Sequence, residues 1–244
     1  MTNFAPLPEV LGAHWIDNEE DTLAWAEKDN LLLKISKLPI LDQGYIQLNQ
    51  NRKPEHYYAC TYYASVWAIC DVMWYDEATY IKLVDATVEE ATKTGDYNPK
   101  TWAFTATSAQ IACKVHNQLM PKKISTFRTE IGKSTFYTLL AHNYTMVVTY
   151  ISWTGYREDS KDGKLDGVDF KNAKGGHCIR WSNAEKHTKV VKPKELTALD
   201  NYYWTNNVAS SGFKRYIIPV TNIPFLKWEP YYAMSYFFIP SDLL

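Results

Sequence analysis

The sequence predicts an α+β fold, and two observations carry that prediction. Up to about residue 120, apolar residues recur at helical spacing between capping signals. Beyond it they come in short β-branched and aromatic runs separated by turn-forming residues. A helical half followed by a β-rich half packs as two layers, and a cleft between the layers is the expected place for a site. Residues 1–40 read as an N-terminal arm, and 41–244 as one domain with a sizeable core, since 46% of the chain is apolar and 22% charged.

Taken in order, "DNEEDTLAWAEKDN" (17–30) begins with helix-favouring acids and places Leu23, Trp25 and Ala26 on a small apolar stripe, so it predicts the arm's one short helix. Residues 36–58 are broken by Pro39, Gly44 and Pro54 and read as extended or looped. From Cys60 to Tyr75 the set Ala64, Trp67, Ala68 and Asp71 follows i, i+3, i+4, i+7, predicting a helix with one buried face. The run from Asp76 to Gly95 starts on acids and ends on a C-capping glycine. A third helix is expected over 101–119, with Phe104, Ile111 and Val115 in the core. Then "KKISTFRT" reads as a strand, "KSTFYTLLAHN" as a short helix, and "YTMVVTYISW", "GGHCIRWS" and "GFKRYIIPV" as strands.

Composition excludes several functions. The net charge of −1 gives no footprint for nucleic acid or an anionic membrane. No apolar stretch approaches the roughly 18 residues that span a bilayer, and the N-terminus lacks the basic start and apolar run of a secretory signal. The cysteines at 60, 70, 113 and 178 form no CxxC pair, so neither a disulfide scaffold nor a zinc site is expected, and no cofactor is called for. The expectation is a reduced chain, cytoplasmic in the producing cell or built into a particle. The 18 tyrosines and 9 tryptophans fit a core, an interface or a groove for an extended ligand equally well.

Three residues in order suggest chemistry. A thiol at a helix start is favoured as thiolate by the helix dipole, and Cys60 stands there. A histidine must move the proton, and His177 in "KGGHCIRW" sits between two glycines and a strand that would hold it. A polar group must orient that imidazole, and Asn201 in "LDNYYW" precedes aromatics able to shield its hydrogen bond. His56, four residues before Cys60, is a weaker alternative base, and His116 reads as a solvated helical residue. His142 and His187 lack a comparable setting, and Cys70, Cys113 and Cys178 read as packing thiols. "REDSKDGKLDGVD" (157–169) partly matches a calcium-binding loop, but Glu158 and Asp169 stand where that motif wants other residues. A solvated hairpin loop is the preferred reading there.

The order and setting of these segments resemble the papain-like cysteine peptidases over about residues 40–220. "NQ…ACTYYASVWA" is similar to their nucleophile loop and helix, and "STFYTLLAHNYTMVVTYI" to the helix and strand that follow. "GGHCIRW" is similar to their Gly-Gly-His strand, and "DNYYWTNNVASSGFKRYII" to their Asn-Ser-Trp segment. His177 and Asn201 follow Cys60 at separations near the roughly 130–150 residues expected of such partners. The resemblance implies a helical half, an antiparallel β-sheet half and a cleft between them. It also implies peptide or related amide hydrolysis through Cys60, His177 and Asn201, and a glutamine upstream whose amide shares the oxyanion hole with the Cys60 N–H. Gln50 is the first candidate for that glutamine and Gln43 the second. A peptide or protein would be the substrate.

The departures point to a divergent relative of bacterial or phage-encoded kind. Tyr58, Ala59 and Thr61 flank Cys60 where Gly-Ser and Cys-Trp are usual, and "RKPEHYY" lengthens the stretch between Gln50 and Cys60. The tryptophan after the orienting asparagine becomes Tyr203 or Trp204, and no long pro-segment is expected ahead of the domain. They also open a competing reading, a catalytically silent papain-like module serving as a structural or binding component, for example of a virion, with a structural protein as partner.

Overall fold

The computed structural model describes residues 13–14, 24–25, 31–39, 41, 52–130, 134–142, 144, 146–150, 177–183, 195–200, 214–219 and 234–244. These residues form an α+β arrangement of helices on a mostly antiparallel sheet. The helices are α1 (Leu31–Ile35), α2 (Cys60–Met73), α3 (Glu77–Thr94), α4 (Thr105–Leu119) and α5 (Ser134–Ala141).

Helix α2 is the centre of the molecule. Every residue from Cys60 to Val72 is buried, so the single apolar face expected from its periodicity is replaced by burial all round. The reason lies in its neighbours: α3, α4 and strands of the large sheet all pack against it. A helix enclosed in this way needs no polar face, and its sequence has almost none. Trp67 stacks on Tyr80 of α3 with ring centroids 6.4 Å apart, and the Tyr80 hydroxyl donates to the Tyr63 carbonyl at 3.1 Å. Thr61 and Ser108 of α4 meet inside the core through a 2.6 Å hydroxyl pair.

Helix α3 follows its sequence signals closely. The Asp76 side chain accepts the Thr79 N–H at 2.8 Å, closing the first turn, and Gly95 ends the helix at φ 83°. Tyr80, Leu83, Val84, Thr87, Val88 and Ala91 form its buried stripe. Helix α4 buries Ile111 and Val115 as expected, but starts later than its sequence suggests, because residues 102–104 pair as a strand instead.

That strand belongs to a small sheet, β1 (Ala13–His14), β4 (Trp102–Phe104) and β3 (Tyr97–Asn98), in the order β1-β4-β3. The large sheet comprises β2 (Ala24–Trp25), β5 (Ile124–Glu130), β6 (Met146–Tyr150), β7 (His177–Asn183), β8 (Glu195–Asp200), β9 (Lys214–Pro219) and β10 (Met234–Pro240). Its order is β2-β5-β10-β6-β7-β8-β9, antiparallel throughout except for the parallel β2–β5 pair. Strands at 124–130, 146–150, 177–183 and 214–219 fall where the sequence puts them. Three findings differ, the first being β8 (Glu195–Asp200), a strand without a counterpart in the sequence prediction. Ala24 and Trp25 lie in a strand edge on β5 rather than in the expected helix, tertiary pairing overriding local propensity; among the described residues of this region the helix is α1. And β10 enters between β5 and β6, setting Phe237 opposite Phe127 and Tyr236 opposite Val147.

Candidate active site

The approach to α2 is a single turn of 3-10 helix, Pro54–His56, whose proline supplies the fixed φ suited to a first turn. The His56 carbonyl accepts the Ala59 N–H at 2.9 Å, and Ala59 offers no side-chain cap to α2. Cys60, the first residue of α2, is fully buried.

Aromatic rings enclose it. Tyr62 and Tyr97 meet edge to face at 5.7 Å. The Tyr62 hydroxyl donates to the Asp96 carbonyl at 3.0 Å, and the Tyr97 hydroxyl donates to the Glu55 carbonyl at 2.6 Å. Burial pushes the Tyr62 phenol far above its ordinary range, with added contributions from Asp96, Tyr97 and the thiols of Cys60 and Cys178. Tyr62 therefore lies within electrostatic reach of both cysteines, and α2 packs against β7. A low-dielectric setting of this kind makes any charge that forms there interact strongly with its partner.

His177 is the first residue of β7, opposite Tyr150 of β6, and its neighbour Cys178 is fully buried opposite Thr149. The β7–β8 register sets Leu199 opposite Arg180, so the C-terminal end of β8 runs toward the His177 end of β7. β8 ends at Asp200, one residue before Asn201 in the sequence. Asn201, Gln50, Gln43, His187 and the loop 157–169 lie outside the described residues. Among the described residues no group of His, Cys, Asp and Glu is arranged to hold a metal ion.

His56, the alternative base, has its Nδ1 engaged by another residue. It is buried, and its Nδ1 pairs with the Tyr63 hydroxyl at 2.7 Å. Burial lowers its pKa to about 4, the Asp85 carboxylate 4.0 Å away opposing that shift only in part. Asp85 is itself shared by Arg52 and by Lys53, whose Nζ lies 2.9 Å from its Oδ2. This cluster has no signal in the sequence, since Asp85 lies on α3 and comes to the 3-10 turn only through tertiary packing.

His116 corrects an expectation: it is fully buried, not solvated. Its Nδ1 lies 3.1 Å from Asn117 Oδ1, and its Nε2 lies 3.0 Å from the Tyr75 hydroxyl. An Nδ1–H tautomer satisfies both contacts, donating to the amide oxygen and accepting from tyrosine. Asn117 in turn pairs with both backbone groups of Ile124, fastening α4 to β5. The packing readings of the other thiols agree with their settings. Cys70 lies inside α2, and burial pushes the Cys113 thiol up to about 11, with its S–H aimed at the Ile124 carbonyl at 3.4 Å.

Among the described residues no helix is long and apolar enough to cross a membrane. Comparison of the chain with family models, with curated proteins and with solved structures gave no match in any of the three.

Proposed function

We propose that this chain is a papain-like thiol hydrolase acting on peptide or related amide bonds. Cys60 attacks the carbonyl, and His177 takes the thiol proton and returns it to the leaving amine. Asn201 orients the imidazole, while the Cys60 N–H and Gln50 stabilise the oxyanion. The observation that carries the reading is the packing of α2, which opens with Cys60, against β7, which opens with His177. The helix-then-sheet order and the direction of β8 toward the same end of β7 add to it.

The second reading, a silent module of the same ancestry with a binding or structural role, draws on a specific observation. Cys60 is enclosed to 0% exposure among tyrosines, as a packing thiol would be.

An activated ester separates the two. With p-nitrophenyl acetate, an active Cys60 forms a C–S bond to the acetyl carbon and releases p-nitrophenolate; water then hydrolyses the thioester to acetate and restores the thiol. The expected result is a stoichiometric burst of p-nitrophenol and an acetyl adduct on Cys60, abolished in Cys60→Ala and slowed at least about 100-fold in His177→Ala. Release that is unchanged in Cys60→Ala sinks the hydrolase reading.

A further inference from the structure

The stretch "RKPEHYY" (52–58) lengthens the approach to Cys60, yet it is held by side chains from three other elements. Asp85, in the third turn of α3, pairs with Arg52 and, at 2.9 Å, with Lys53. Tyr63 of α2 holds the His56 imidazole at 2.7 Å. Tyr97 of β3 donates its hydroxyl to the Glu55 carbonyl inside the turn at 2.6 Å. The last link is internal, from the Ala59 N–H to the His56 carbonyl at 2.9 Å.

The anchoring is uneven in kind. The tyrosines hold the 3-10 turn itself, through a buried contact from Tyr63 and a part-buried one from Tyr97, whereas the Asp85 pairs hold the residues just before it and are part-exposed, with side-chain exposures of 25% for Arg52, 35% for Lys53 and 29% for Asp85. Exposed pairs contribute little to stability unless they form a network. Here one carboxylate gathers two cations from adjacent residues, which fixes the direction of the chain just before the 3-10 turn. That turn leads without slack through Ala59 into Cys60, whose backbone N–H is the oxyanion donor of the proposed reaction.

Resting on the hydrolase reading above, we propose that Asp85 is a positioning residue for that donor: by clamping Arg52 and Lys53 it sets the orientation of the Cys60 N–H, and so the acyl-transfer geometry rather than the reactivity of the thiol. The distinction is measurable. Alkylation of Cys60 by iodoacetamide forms a C–S bond with loss of iodide and develops no oxyanion, whereas acetylation by p-nitrophenyl acetate passes through a tetrahedral oxyanion.

The experiment compares the two rates at Cys60 by intact mass and peptide mapping in wild type, Asp85→Asn, Asp85→Glu and Tyr97→Phe, with circular dichroism confirming fold. Asp85→Asn should lower acetylation about tenfold and alkylation less than twofold, for loss of aligned oxyanion contact. Asp85→Glu should restore most of the acetylation rate. Tyr97→Phe, which keeps the ring and removes only the hydroxyl, should move the same ratio in the same direction if Asp85→Asn fails to fold. The clamp is overturned if the ratio is unchanged in the folded variants, or if both rates fall together. A wild-type Cys60 no more reactive toward either reagent than a simple thiol instead marks failure of the hydrolase reading, and the clamp falls with it.

Discussion

At the residue scale, the buried histidines His56 and His116 make acid sensitivity the clearest consequence. His56 titrates near its ordinary 6.5 in the unfolded chain but only at about 4 when folded. Between those values the unfolded chain binds a proton that the folded one refuses, so stability is full above about pH 6.5 and falls as pH drops toward 4. The loss attributable to His56 is on the order of 2 to 3 kcal/mol, at about 1.4 kcal/mol per pH unit. His116, also shifted down by burial, adds to the slope in the same direction. Urea unfolding from pH 7 to 4 should show this fall, and His56→Gln should flatten it while leaving the His116 share; an identical slope in the variant would contradict the assignment. Trp74 offers a second test. It caps α2 at φ 57° and is 58% exposed, a left-handed conformation that costs a non-glycine residue about 1 to 2 kcal/mol. Trp74→Gly relieves that strain and loses about 0.4 to 1 kcal/mol to unfolded-chain entropy, so it should be neutral or stabilising in thermal melts. Clear destabilisation would show that the Trp74 ring contributes packing that outweighs the backbone.

At the element scale, α3 shows what local sequence specifies well. Its acidic start, its stripe from Tyr80 to Ala91 and its terminal glycine are all local signals, and each corresponds to a contact: the Asp76 cap, the core face and the left-handed Gly95. Asp76→Ala should cost about 1 kcal/mol for the lost cap. Gly95→Ala should cost a similar amount from backbone strain alone, since a Cβ there meets nothing within 4 Å. Both are read as shifts of the denaturant midpoint. Helix α2 is legible in position but not in environment. Its length and head at Cys60 follow from periodicity, while its enclosure on all sides depends on where α3, α4 and the sheet arrive. His116 fails for the same reason: a histidine beside Lys114 looks solvated until Tyr75, a residue from the end of another helix, closes over it.

At the scale of the whole molecule, the α+β class and the helix-to-sheet order are written in the sequence, whereas the strand order is not. β10 pairs with β5 and β6 across more than a hundred residues of chain to β5, and no local pattern marks "MSYFFIP" as a central rather than an edge strand. Its residues Tyr236 to Ile239 are all fully buried, so removing 234–244 should abolish cooperative unfolding rather than trim an edge. The candidate site divides in the same way. The types and order of Cys60, His177 and Asn201 are sequence features, and the α2–β7 contact that adjoins the first two elements is a property of the fold.

The most direct measurement of the central claim is the relative alkylation of the four cysteines by limiting iodoacetamide at neutral pH, followed by peptide mapping. Cys60 should be modified selectively, with Cys70, Cys113 and Cys178 spared, and that selectivity should be lost in a folded His177→Ala variant. Slow and equal modification of all four, or a Cys60 rate indifferent to His177, would contradict it.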